Sequence, residues 1–292
     1  MAQQFDIIPT GTALGADITD FDIKIMDQED ATRIRVAWLK HLVLRFRGME
    51  FYDDEHVRFT KLLGDPELSP RALCTGEELV KNHPEIGVIS NVLGDDGEPI
   101  GTLGDGECVW HTDMSYIEIP PAASILHALE LPPPNTGGNT EFLNMYVALE
   151  TMDPILVKRI EGKLLRHENV TLSSGGYRKG MEDKIPTSGD VRHWQGPSHP
   201  MIRMHPETNR KCLFLGRRVH AYIEGMDVDE SEEILDAVWA HVMQSKFCWE
   251  QVWQLGDMIL WDNRCAMHRR DAFDPLTRRI MHRTQLKGEL IY

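Results

Sequence analysis

The sequence predicts an α+β chain with a mainly β core, a jelly roll flanked by helices, and three observations carry that expectation. Much of the chain beyond residue 120 consists of short apolar or alternating stretches separated by Gly, Pro and Asn signals, as in a sandwich or barrel. Helical signals are confined to a few segments that can buttress such a core. No repeat or low-complexity tract is present, which excludes solenoids and arrays.

Taken in order, residues 27–40 are rich in helix formers and charge and run into 42–46, which reads as a strand. Residues 53–63 read as a second helix stopped at Gly64. Short strands are expected at 86–92, 122–131, 211–215, 247–255, 257–261 and 279–286. One helical insert is expected at 145–159. Another is expected at 231–243, where Ile234, Val238, Trp239 and Val242 recur at helical spacing and read as core. Between them, residues 163–200 hold a long polar section rich in Gly, Ser and Pro. Its stretch 173–195 is a candidate lid, because structureless loops of that length in a compact domain are usually functional or disordered.

Composition narrows the partners. The chain has 31 Lys and Arg against 46 Asp and Glu, and the resulting charge of −15 argues against nucleic acid, which demands a basic footprint. It argues equally against docking on an anionic membrane, and no run of about 18 apolar residues suggests a membrane span. The five cysteines (Cys74, Cys108, Cys212, Cys248, Cys265) are scattered and odd in number, as suits reduced thiols. With no signal-peptide pattern in the first residues, a cytoplasmic location is expected. A homo-oligomer, dimer or tetramer, is the expected assembly.

The chemistry begins at Val109-Trp110-His111-Thr112-Asp113. In an extended chain residues i and i+2 share a face, so His111 and Asp113 can offer an imidazole and a carboxylate to one metal. A distant second histidine would complete a two-His-one-carboxylate triad with open coordination positions. Alone the pattern decides little, since His83-Pro84-Glu85 and His205-Pro206-Glu207 repeat it, although Pro at their centres suggests edges or turns. Downstream, Arg279 and Arg283 fall on one face of a strand-like segment, about 13 Å apart at roughly 3.3 Å per residue. Two arginines facing an interior need anions, either protein carboxylates or a ligand. Cys265, three residues before His268, falls on the opposite strand face and is rejected as its co-ligand.

The stretches Trp110-His111-Thr112-Asp113, Gly137-Gly138-Asn139-Thr140, Trp261-Asp262-Asn263-Arg264 with His268, and Arg278-Arg279-Ile280-Met281-His282-Arg283 follow one another in the order of a known family. Together with Thr10-Gly11 and Gly15-Ala16-Asp17-Ile18 near the front, the chain resembles the TauD/TfdA family of Fe(II)/2-oxoglutarate dioxygenases over nearly its whole length. The resemblance implies a single domain over 1–292 with a double-stranded β-helix (cupin-like jelly roll) at its core. It implies Fe(II) on His111, Asp113 and His268, with 2-oxoglutarate and O2 as co-substrates. It further implies that Arg279, helped by Thr140, takes the distal carboxylate of 2-oxoglutarate. Arg283 is implied to meet an anionic head group on a small organic substrate: a sulfonate, a sulfate ester, or an aryloxyalkanoate or other carboxylate. Hydroxylation with release of succinate and CO2 is the implied reaction, and the carboxylate of Asp113 favours it over halide chemistry. Arg278 and His282 read as structural, and Arg264 as a supporting ion pair. Ser69 and Glu107 stand where taurine dioxygenase carries a histidine and an asparagine that bind its substrate, so the resemblance does not extend to taurine itself. The rival expectations are a zinc-dependent hydrolase using the same triad and a non-catalytic jelly-roll binding protein.

Overall fold

The computed structural model describes residues 3–291. Its main sheet has eight strands. In spatial order they are β1 (Asp6–Pro9), β2 (Ala16–Thr19), β3 (Val43–Phe46), β15 (Met258–Asp262), β7 (Ala123–Glu130), β17 (Ile280–Leu286), β4 (Gly87–Ser90) and β5 (Thr102–Leu103). A second sheet runs β14 (Cys248–Gln251), β8 (Thr140–Asn144), β16 (Ala266–Arg270) and β6 (Cys108–His111). Two small sheets complete the chain: β10 (Ser198–Pro200) with β9 (Leu164–Arg166) and β13 (Tyr222–Ile223), and β11 (Ile202–Met204) with β12 (Lys211–Leu213). The helices are α1 (Gln28–His41), α2 (Asp53–Leu63), α3 (Pro70–Thr75), α4 (Met145–Glu150), α5 (Pro154–Ile160) and α6 (Val228–Val242). The architecture is thus α+β and mostly sheet. Among the described residues no helix is long and apolar enough to cross a membrane.

The central strands read as continuous apolar runs because both faces of the main sheet are covered. Successive residues go to different cores. Val43, Ile259, Trp261, Leu126 and Ala128 pack inward with Phe142 of the second sheet. Leu44, Phe46, Met258, Leu260, Ala123 and Ile125 pack outward with Ile34 and Trp38 of α1 and Phe59 of α2. Trp261 is fully buried between the sheets, and truncating such a side chain costs about 3–5 kcal/mol.

Strand β17 is the clearest case of this division. Its outward residues meet α2: His282 Nδ1 lies 2.6 Å from Asp53, and Thr284 Oγ1 lies 2.7 Å from Thr60 Oγ1 and 3.1 Å from His56 Nε2. Its inward residues, Met281, Arg283 and Gln285, face the second sheet and the site described below.

The helices begin where the sequence supplies caps. Asp27 accepts from the Glu29 and Asp30 amides while Asp30 accepts from Asp27, a closed capping box at the start of α1. The insert expected as one helix over 145–159 is two. Pro154 has no amide hydrogen to continue α4, and Asp153 caps a new helix by accepting from the Ile155 amide. Helix α6 begins at Val228, earlier than the apolar spacing suggests, because Asp227 caps a polar first turn. The expected strands are present, with ends trimmed by one to a few residues.

Under α2 the fold buries two neutral imidazoles. Burial pushes His56 down to about 3, reinforced by the charges of His127 and His282. His127, stacked on Phe51 at 3.9 Å, is pushed down to about 4 by burial and then by His282. Both values lie below the unfolded value near 6.5, so above that pH neither state is protonated and no stability is lost. As pH falls below 6.5 the unfolded chain gains protons that the native imidazoles refuse. Stability should then drop by up to about 1.4 kcal/mol per pH unit for each histidine. Urea denaturation at pH 7.5 and 5.5 should show this loss, and a His56→Gln/His127→Phe double variant should show a smaller one. Equal losses in the two proteins would reject the assignment.

Candidate metal and anion site

His111 ends β6 and His268 lies within β16. The strand register sets them directly opposite one another, with ring centroids 4.2 Å apart. Asp113 arrives differently from the sequence expectation. Strand β6 stops at His111, and Asp113 sits in the following turn, so strand periodicity does not bring the two together. The turn is held by Asn263, whose Oδ1 accepts from the Asp113 amide at 2.8 Å. Its Nδ2 donates to the carbonyls of Asp113 at 2.9 Å and Pro121 at 2.8 Å.

The three side chains converge. Nε2 of His111 lies 3.6 Å and Nε2 of His268 lies 3.8 Å from Asp113 Oδ1. All three groups are buried and lie close enough to hold one ion. Two ligands at about 2.1 Å and right angles to each other stand about 3 Å apart, so small movements would bring these donors onto one cation.

The donor chemistry fits as well. The carbonyl of Val109, 2.7 Å from His111 Nδ1, can only accept, so Nδ1 carries the hydrogen and Nε2 keeps its lone pair. Burial and then the charge of His111 push His268 down to about 3, which leaves it a neutral ligand. Burial alone would raise the carboxyl of Asp113. The charge of Arg283 outweighs that and holds it well below the usual carboxylate range. Ser124 donates to Asp113 Oδ2 at 2.7 Å, Arg283 Nη1 reaches both oxygens at 3.1 Å, and Gln285 approaches at 3.4 Å.

Behind the triad a small chamber is lined by Leu126, Thr140, His268, Arg270, Arg279 and Arg283, among others. Arg279 is fully buried, makes no ion pair or side-chain hydrogen bond among the described residues, and sits near the rings of Trp253 and Phe273. Burial and the neighbouring charge of Arg270 push it down to about 9, so it stays cationic at neutral pH. The alternative that a protein carboxylate neutralises Arg279 therefore does not hold. Thr140 opens β8 opposite Arg270, and its hydroxyl accepts from Trp253 Nε1 at 3.0 Å. Gly137, just ahead, has φ +95°, and a Cβ there would overlap the carbonyl of Ala272.

In front of the triad a cleft is lined by Pro70, Leu103, Met114, Tyr116 and Leu172, by Ser173 and Arg178 of the expected lid, and by Arg217 and Arg283. Arg283 thus borders both spaces, but part of its fork is spent on Asp113.

The remaining sequence candidates fall elsewhere. Arg264 is a supporting ion pair, bonded to Asp262 at 2.8 Å and Glu207 at 2.7 Å. That cluster, with buried His205 and Cys265, gathers apart from His268, and Cys265 lies in the turn before β16. Arg264 already satisfies its carboxylate. Arg278 pairs with Glu130 on the surface. Glu107 is an exposed partner of Arg269 at 3.6 Å and does not line the cleft. Ser69 caps α3 by accepting from the Ala72 amide at 3.3 Å. Sequence reasoning missed Arg270, although it lies two residues beyond His268 on the same strand face. It also assigned no role to Asn263, Ser124 and Gln285, whose part in fixing Asp113 depends on cross-strand register (Gln285 opposite Ser124) and a distant turn.

Comparison with known proteins gives a consistent picture. A family model described as "Taurine catabolism dioxygenase TauD, TfdA family" matches residues 6–285. The (S)-phenoxypropionate/alpha-ketoglutarate-dioxygenase of Sphingobium herbicidovorans is 28% identical, over 99% of this chain and 97% of its own length. Pentalenolactone F synthase of Streptomyces avermitilis is 31% identical, over 97% of this chain and 94% of its own. Among solved structures, AAD-2 in complex with Mn(II) and N-oxalylglycine is similar with a TM-score of 0.76 and 25% identity, covering 99% of each chain.

Asn263→Ala removes three buried hydrogen bonds that fix the Asp113 turn. Groups that orient metal ligands are typically worth about 10- to 100-fold in metal affinity. Calorimetric titration with Mn(II) should show a loss of that size in the variant. Unchanged affinity would mean that the turn holds its shape without Asn263.

Proposed function

The chain belongs to the TauD/TfdA family of dioxygenases, and from that premise we propose that it uses Fe(II), 2-oxoglutarate and O2 to hydroxylate a small anionic organic substrate. The observation that carries the reading is the pairing of a convergent His111–Asp113–His268 triad with a buried, unpaired Arg279 in the chamber beside it. A triad alone would serve many metal chemistries, including a zinc hydrolase. A buried cation without a partner is costly unless a ligand anion arrives.

His111 Nε2, His268 Nε2 and the carboxylate of Asp113 would hold Fe(II), and the face away from them would stay open to co-substrate and O2. Bound there, the metal supplies O2 activation coupled to oxidative decarboxylation: substrate C–H, 2-oxoglutarate and O2 give substrate C–OH, succinate and CO2. The chain's own part is placement. Arg279 offers two parallel N–H donors to the distal carboxylate of 2-oxoglutarate, and the Thr140 hydroxyl donates a third bond. Trp253 fixes that hydroxyl by donating to its oxygen, so its hydrogen is free for the carboxylate. Arg283 borders both spaces and places positive charge beside the substrate's anionic group, while it steadies Asp113.

The candidate lid borders the cleft through Ser173 and Arg178, and it can limit water around the reacting carbon. The substrate's head group is a sulfonate, sulfate ester or carboxylate in this reading. The core is a double-stranded β-helix (jelly roll) forming one domain over 1–292, consistent with two sheets that face each other across an apolar interior. A cytoplasmic homo-oligomer belongs to the same proposal. Its location is supported by Cys108, Cys212, Cys248 and Cys265 standing as free thiols.

Protein reconstituted anaerobically with Fe(II), then given 2-oxoglutarate, O2 and a panel of alkylsulfonates, sulfate esters and aryloxyalkanoates, should form succinate in a substrate-stimulated way. His111→Ala should abolish it. Arg279→Gln should raise KM for 2-oxoglutarate about 10- to 100-fold, the range for losing a charge-assisted pair of bonds. An iron-loaded wild-type protein that forms no succinate would refute the dioxygenase reading. Stoichiometric zinc with hydrolysis would replace it by a hydrolase.

A further inference from the structure

We propose that Arg178, on the loop over the cleft, is the residue that grips the anionic head group of the substrate and so sets its specificity. This rests on the cleft being the substrate site of the reaction proposed above. Three arginines line the cleft, and their surroundings differ. Arg283 donates from Nη1 to both oxygens of Asp113 at 3.1 Å, so part of its charge is already spent on that carboxylate. Arg217 is consumed by the scaffold. It meets the buried Glu168 carboxylate at 2.5 Å and donates to the carbonyls of Thr171 at 3.0 Å and Glu168 at 3.2 Å. Arg178 makes no ion pair and no side-chain hydrogen bond among the described residues, and its Nε is buried without a partner.

The position of Arg178 is built rather than incidental. Residues 170–178 fold back on themselves: the Arg178 amide donates to the Val170 carbonyl at 2.7 Å, and Thr171 bridges Tyr177. Gly175 (φ +86°) and Gly176 (φ +75°) make the reversal. The Glu168 carboxylate that pairs with Arg217 also accepts from the Val170 and Thr171 amides, at 2.7 and 2.9 Å, and so clamps the base of the fold-back. The carbonyl of Ser173 accepts from the Val109 amide at 3.0 Å, which ties the loop to the strand that carries His111.

The guanidinium carbon of Arg178 lies 3.5 Å from the centroid of the Tyr116 ring, three residues beyond Asp113. Stacking engages the face of a guanidinium and leaves its in-plane N–H donors free. Those donors match two oxygens of a carboxylate, sulfate or sulfonate. The wall formed by Pro70, Leu103, Met114 and Leu172 suits an apolar body. The ligand class is therefore an apolar-bodied organic oxyanion whose acid group is gripped by Arg178 at the loop, with Arg283 adding positive charge in the same cleft.

Binding separates this proposal from the reaction itself. Calorimetry on the metal-free protein would use phenoxyacetate as the carboxylate probe, hexyl sulfate as the sulfate probe and phenoxyacetamide as the neutral analogue. Arg178→Gln should weaken at least one anionic probe about 10- to 100-fold and leave the amide unchanged, and Arg178→Lys should restore part of the loss. The probe that responds identifies the head group. In turnover of that compound the loss should appear in KM rather than kcat. Equal binding of the anions by wild type and Arg178→Gln, loss of the amide alongside them, or no binding of either anion by the wild type would each overturn the proposal. A binding difference in a protein that forms no succinate would instead refute the dioxygenase reading and leave the oxyanion site standing.

Discussion

The site is arranged around the problem of keeping Asp113 ionised where water cannot reach it. An isolated buried carboxylate would take up a proton, because desolvation penalises its charge by several kcal/mol. Here the compensation comes from strands far apart in sequence. Ser124 on β7 and Arg283 and Gln285 on β17 all act on this one group. Each of these residues occupies an inward position of its strand, so the carboxylate is held anionic by the pairing of β7 with β17 in this register. The demand of a metal-binding carboxylate and the register of the main sheet are in that sense one constraint. Asn263 adds the backbone half by fixing the turn that delivers the side chain.

A second constraint is the concentration of positive charge inside an acidic chain. The protein carries −15 overall, yet Arg178 in the cleft and Arg279 and Arg270 in the chamber have no carboxylate partner among the described residues. Arg270 is partly satisfied by the carbonyls of Leu103 and Gly106, whereas Arg279 and Arg178 have no such acceptors among the described residues. Leaving buried cations uncompensated lowers the stability of the free protein, and functional sites are where such strain is tolerated. The same cations draw anions through a surface field that would otherwise repel them, because a short-range charge in a poorly hydrated cleft outweighs screened charges a Debye length away.

How much of this was readable in the sequence depended on the range of the interactions involved. His111, His268, Arg279 and Arg283 were legible because each sits on or at the end of a strand in a motif of fixed order. The spacing of Asp113 from His111 suggests a shared strand face, whereas a turn held by a residue far along the chain brings it in. The split of the 145–159 insert is legible in Asp153-Pro154, a cap followed by a residue with no amide hydrogen, although the apolar pattern runs through it. Cross-strand partners such as Ser124 and Gln285 left no local signal, since register is a property of the assembled sheet.

The arginines show why the loop residue was the hardest to find. Sequence alone cannot separate a structural arginine from a ligand-binding one, because the distinction lies in what the guanidinium already touches. Arg264 and Arg217 are buried, as Arg279 is, but both are saturated by carboxylates and carbonyls. Arg178 is half-buried and lacks such partners among the described residues. Its place follows from a fold-back that the Arg217–Glu168 pair stabilises at its base, so one saturated arginine holds the loop that presents a free one. This division leaves the metal centre on rigid strands and puts head-group recognition on a loop that can vary without disturbing Asp113. A fold organised in this way can keep one oxidative chemistry while the identity of the acid it accepts changes through a few loop positions.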